Sequence, residues 1–271
     1  MPVQESPKVS DTADDVVTWR TDERVQVVRM HRPPANALGL PMVEGLQRAL
    51  DAFESSDSKV LVIVSDLDGF FAAGADIKLM AGYLEQGDLA SFSAYGDGLR
   101  GALSRLHGLD RPSIAAIEGL ALGGGMELAL ACTMRVGSTK ARLGLPESKI
   151  GLIPGAGGTQ RLSRLVGRAR ALDLMLTARD VAAPEAHALG LLDRLVEPGR
   201  AEAEATELAR LLCDRSGAAL TEIMRCVDDA DDLPLDQGLA REAMRVNTLF
   251  SGAQAREGLT AFIEKRRPNY V

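Results

Sequence analysis

Ala121-Leu122-Gly123-Gly124-Gly125-Met126-Glu127 is the stretch on which the reading of this chain turns. Three glycines open an apolar run that the pattern predicts to be helical, and Glu127 falls in its first turn. Backbone N–H groups at a helix start have no intrahelical acceptor, so they can hold a negative oxygen. Twenty residues on, Pro146-Glu147 precedes a second glycine-rich turn, Ile153-Pro154-Gly155-Ala156-Gly157-Gly158. Two glutamates beside such donors are equipped to move protons at a carbon next to a carbonyl.

Working back along the chain, Phe70-Phe71-Ala72-Ala73-Gly74-Ala75-Asp76-Ile77-Lys78 is a third loop of small residues. Small side chains let the backbone approach a ligand closely. The N–H of Ala75 is expected beside a helix start near Asp76, with a similar N–H offered by the glycine triplet. Two donors from two loops make an oxyanion hole, in which one donor is typically worth about 2.7–4 kcal/mol of transition-state stabilisation. Any single glycine turn has a plain structural reading. The triplet fails the GxGxxG spacing, and no Gly-Lys-Ser/Thr follows Gly158, so neither reads as a phosphate loop. Glu127 has an ordinary role open to it as a helix-dipole partner. Its apolar neighbours Met126, Leu128 and Leu130 make burial costly unless the carboxylate is paired or used, which favours function.

The flanks supply the fold class. Val16–Arg20 and Val25–Met30 read as a hairpin turning at Thr21-Asp22-Glu23. Pro41 marks a helix start, with Val43, Leu46, Leu50 and Phe53 on one face. Val60–Val64 and Ile114–Ile117 are continuous apolar runs of the kind found in buried parallel strands, separated by helical periodicity over 88–107. Alternating strands and helices give an α/β class. Residues 1–15 are expected to be a mobile arm and 16–199 the core. Residues 200–271 read as a separate helical region of three or four helices, broken at Ser216-Gly217, Leu233-Pro234 and Ser251-Gly252.

Composition excludes several classes. A net charge of −7 over 271 residues argues against a nucleic-acid surface. Arg161, Arg164, Arg168 and Arg170 cluster, and the pattern reads as a solvated helix face. Three cysteines and three histidines lack metal-ligand spacing, so no metal is expected, and the thiols read as reduced. No secretory leader or membrane-crossing run is legible, so a cytoplasmic location and no membrane partner are expected.

From about Asn36 to Arg266 these segments resemble the enoyl-CoA hydratase/isomerase (crotonase) family. The resemblance rests on Phe71-Ala-Ala-Gly-Ala-Asp-Ile-Lys78, on Gly119 to Ala129, and on Pro146-Glu147 with Gly151 to Leu162; Ala182 to Asp193 is also similar. It implies a spiral core of repeated ββα units and a C-terminal helical trimerisation region, in a homotrimer or homohexamer. It also implies an acyl-CoA thioester substrate and no separate cofactor. By the same resemblance Glu127 and Glu147 are the catalytic pair, and the N–H groups of Ala75 and Gly124 form the oxyanion hole. Gly155 would position a water. Ala73, Asp76 and Ile77 would meet CoA, with Phe262 and Lys265 reaching it across a subunit contact. The implied reaction is hydration of a trans-2-enoyl-CoA. The alternatives are a Δ3,Δ2-enoyl-CoA isomerase or other crotonase-type reaction, and a non-catalytic acyl-CoA-binding protein. The chain departs from the family at Pro33-Pro34-Ala35, where a lysine is common, and at Thr133, Leu143 and Leu145. Leu145 is expected to make the surroundings of Glu147 apolar and to raise its pKa.

Overall fold

The structure, a computed structural model, describes residues 15–270. The arm expected at 1–15 lies outside them apart from Asp15, which pairs with Arg48 at 3.0 Å. Val17–Asp22 (β1) and Val25–Met30 (β2) form the antiparallel hairpin. Its turn is shorter than expected. Thr21 and Asp22 still pair with Gln26 and Val25, and the chain reverses over Glu23-Arg24 with Glu23 at φ +54°. Leu40–Glu54 (α1) carries Pro41 in its first turn and buries Val43, Leu46, Leu50 and Phe53, as their spacing predicts.

Three strand pairs then repeat one plan. Val60–Ser65 and Phe70–Ala72 (β3, β4) are followed by helices Ile77–Gln86 and Leu89–His107 (α2, α3). Ser113–Ile117 and Leu120–Leu122 (β5, β6) are followed by Gly124–Ala131 (α4). Met134–Ser138 and Arg142–Gly144 (β7, β8) lead through a 3-10 turn, Glu147–Ile150, to Gly158–Val166 (α5). Arg168–Thr177 (α6), Asp180–Ala182 (β9), Ala183–Ala188 (α7) and Arg194–Val196 (β10) close the core. The first strand of each pair enters a six-stranded sheet of order β1-β2-β3-β5-β7-β10, and the second a four-stranded sheet of order β4-β6-β8-β9. Pairing is parallel from β3 to β5 to β7 and from β4 to β6 to β8. Each repeat thus advances one place in both sheets, which is the expected spiral.

Strand alternation fills both faces of the larger sheet. Leu61 and Ile63 join the main core with Phe53, Phe71, Leu103, Met126 and Leu128. Val60, Val62 and Val64 face the other way, with Val25, Val27, Ile114, Ala116 and Val136. That layer is covered by Ala201–Cys213 (α8) through Ala201, Ala205, Leu208 and Ala209. The first helix beyond residue 199 therefore packs as part of the core. Gly217–Asp232, Leu235–Phe250 and Ala253–Ile263 (α9, α10, α11) follow, separated at the expected breaks. No side chain of α9 or α10 is buried, and Ile223, Val227, Leu239, Met244, Val246 and Phe250 are exposed. Beyond α11 the chain returns to the sheet, where the Tyr270 carbonyl accepts from Arg24 at 2.9 Å and from Lys59 at 3.0 Å. Among the described residues no helix is long and apolar enough to cross a membrane.

Candidate active site

The site lies where β4 and β6 end and α2 and α4 begin. Gly123 caps α4 at φ +53°, a left-handed conformation that favours glycine. The triplet is crowded as well as bent. A methyl group on Gly125 would lie 2.0 Å from the Ala72 carbonyl oxygen, so α4 can start hard against β4 only without a side chain there. A methyl on Gly124 would lie 3.3 Å from the amide nitrogen of Ala75. The N–H groups of Ala75 and Gly124 are therefore neighbours, and neither makes a hydrogen bond within the described residues.

The Ala75 loop is fixed from two sides. The Leu38 N–H donates to the Gly74 carbonyl at 2.8 Å. The Tyr95 hydroxyl donates to the Leu38 carbonyl at 2.6 Å and accepts from the Asp76 N–H at 3.3 Å. Asp76 caps α2 by accepting from the Leu79 N–H and pairs with Arg32 at 2.7 Å. Its carboxylate is thus engaged within the fold. The Ala73 N–H donates to the Ala35 carbonyl at 2.9 Å. Ile77 follows at the helix start, 53% exposed.

The two glutamates meet beside these donors in opposite condition. Glu127 is 3% exposed, and its Oε1 accepts from the N–H groups of Ala156 and Gly158 at 2.7 and 2.8 Å. Burial pushes its carboxyl above the ordinary value, while the two N–H groups and the nearby Arg161 act against that rise. Glu147 stands at the start of the 3-10 turn, its Oε1 3.0 Å from where a methyl on Gly123 would sit. Its Oε2 is buried and has no hydrogen-bond partner among the described residues. Burial, with a smaller contribution from the Glu127 charge, pushes the Glu147 carboxyl up to about 7. Two carboxyls whose surroundings differ in this way divide naturally into an acid and a base.

The remaining candidates sit further out. Gly155 is exposed, and its carbonyl accepts from Arg100 at 3.4 Å. Its N–H has no partner among the described residues, while the neighbouring Ala156 and Gly158 hold Glu127. Phe262, 84% exposed, stands in the last turn of α11 and Lys265, also exposed, just beyond it, and no hydrogen bond or ion pair among the described residues links either to the groups above. Leu145 is buried, with its Cδ1 against Gly158, so it packs next to the anchor of Glu127. Thr133 exchanges hydrogen bonds with Ser113, its hydroxyl accepting from the Ser113 N–H at 3.1 Å. Arg32, Tyr95, Ala156, Gly158 and Arg161 were not expected at the site. For Gly158 the glycine turn itself was the signal. For Arg161 the only hint was its place four residues after Gly157.

The enoyl-CoA hydratase/isomerase family matches residues 20–271. The chain is 38% identical over 255 residues to the Arabidopsis thaliana protein named probable enoyl-CoA hydratase 2, mitochondrial, covering 93% of this chain and 83% of that one. It is 36% identical over 260 residues to a probable enoyl-CoA hydratase of Bacillus subtilis, covering 94% and 98%. The crystal structure of enoyl-CoA hydratase from Bacillus anthracis superposes with a TM-score of 0.87 at 33% identity, covering 98% and 99% of the two chains.

Proposed function

The chain belongs to the enoyl-CoA hydratase/isomerase family, and on that premise we propose that it hydrates trans-2-enoyl-CoA thioesters to 3-hydroxyacyl-CoA. The observation that carries the reading is the pair of carboxyls: Glu127 anchored by two N–H groups, and Glu147 with a buried Oε2 that has no partner among the described residues and a carboxyl pushed up to about 7. The thioester oxygen accepts from the N–H groups of Ala75 and Gly124, which stabilise the negative charge that develops there. Glu127 as a carboxylate takes a proton from water, whose oxygen bonds to C3. Glu147 as an acid delivers a proton to C2, and the enolate-like electron pair closes onto that carbon. Water is thereby added across the double bond. The free N–H of Gly155 helps hold the water. The coenzyme's adenine end lies by Ala73, Asp76 and Ile77, with Asp76 acting through its backbone because Arg32 holds its side chain. Phe262 and Lys265 meet the coenzyme of a neighbouring subunit.

Double-bond isomerisation is the second reading, favoured by the same unpartnered Glu147. A single carboxyl near pH 7 is suited to removing a proton and returning it two carbons away. The test is the loss of enoyl-thioester ultraviolet absorbance with crotonyl-CoA and with a longer 2-enoyl-CoA. Glu127→Gln and Glu147→Gln are each expected to lose about a hundred-fold or more in kcat, as befits a general acid or base. Unchanged turnover in folded Glu127→Gln would refute the assignment. Absence of hydration with turnover of a 3-enoyl-CoA would select the isomerase.

A further inference from the structure

Of the four clustered arginines, three are solvent-exposed and one is not. Arg164, Arg168 and Arg170 lie on the surface, whereas Arg161 is turned inward and half-buried. Its Nη1 donates to the Ala156 carbonyl at 2.9 Å, and its Nη2 to the Leu103 carbonyl on α3 at 3.4 Å. The guanidinium lies directly over Gly157, where a methyl group would come within 2.1 Å of Nη1 and where φ is +109°. A residue with a side chain at 157 would displace it. Ala156 and Gly158, on either side, are the two residues whose N–H groups hold Glu127.

We propose that Arg161 is a positioning residue for Glu127. It ties the Ala156–Gly158 turn to α3, so that both N–H groups stay aimed at the carboxylate. The charged groups that act on Glu127 are Glu147 on the 3-10 turn and Arg161 on α5, and Arg161 in turn faces Cys132 at the end of α4. Arg161 also faces His107 at the end of α3, and Arg100, on the same helix, reaches the Gly155 carbonyl. Among the groups in contact with the Glu127 anchor, Arg161 is the cation that both fixes the turn and opposes the effect of burial.

The proposal rests on the reading of Glu127 as the base, and the experiment separates the two. Protein carrying 13C-carboxyl glutamate is titrated by NMR, with the Glu127 signal assigned by its loss in Glu127→Gln. In Arg161→Met the Glu127 midpoint is expected to rise by about half a pH unit or more, and by less in Arg161→Lys, which keeps the charge. An unchanged midpoint in Arg161→Met with wild-type circular dichroism would overturn the proposal. Where Arg161→Met does not fold, Arg161→Lys decides. A fall in kcat of about ten-fold or more with KM nearly constant supports positioning, and an unchanged kcat overturns it. If the wild type hydrates no enoyl thioester, the functional reading falls while the titration still decides the role of Arg161.

Discussion

Glu147 combines a buried oxygen that has no partner among the described residues with a carboxyl that titrates near pH 7. A carboxyl whose pKa lies above its ordinary value binds more protons in the folded than in the unfolded chain between the two values. Stability therefore falls as pH rises from about 4.5 to about 7. Glu147→Gln removes that cost. It is expected to raise stability by about 1–2 kcal/mol at pH 8 and by little at pH 4.5, the figure being reduced because the side chain is part exposed. Urea denaturation at the two pH values measures it. Hydration by the wild type should fall on the alkaline side of about pH 7 as the acid is lost. The glutamates and the two donor loops were legible because glycines at fixed offsets announce close backbone approach. Arg32 and Arg161 were not, because an arginine in sequence reads as a surface charge until the turn it grips is in place.

The glycines divide by what surrounds them. Gly125 stands where α4 meets β4, and an added methyl would collide with backbone. Gly125→Ala is expected to cost about 1–3 kcal/mol or to prevent folding, as overpacking against a rigid neighbour does. Gly101, inside α3, is exposed with open space around its Cα. Gly101→Ala is expected to stabilise by about 0.5–1 kcal/mol, since it raises helix propensity without a clash. Thermal unfolding of the two variants side by side checks both. The long helices and the strands β2, β3 and β5 were readable from apolar periodicity and continuous apolar runs. The second sheet was not readable from residue patterns, because β4, β6, β8 and β9 are three residues long, too short to show alternation. It came from the family resemblance alone.

At the scale of the molecule, α9 and α10 bury none of their side chains within the chain and present a broad apolar surface. Such a surface is unusual on a monomer. Light scattering is expected to give about three or six times the chain mass of 28.8 kDa, and Phe250→Asp with Met244→Lys is expected to lower it. A wild-type mass of a single chain would sink that expectation. The proline and glycine breaks beyond residue 199 left three or four helices open, and the structure has four, α8 to α11. What the sequence concealed was that α8 serves the core, because its small alanine face reads as generic helix until the valine layer opposite it is seen. That placement bears on biosynthesis. The valine layer is built from residues 25 to 136, yet its cover begins at residue 201. At about 5–20 residues per second, several seconds of translation separate the layer from the helix that shields it. A nascent chain stalled or truncated before α8 would display one apolar face of a nearly complete sheet, the form in which this protein would call on a chaperone.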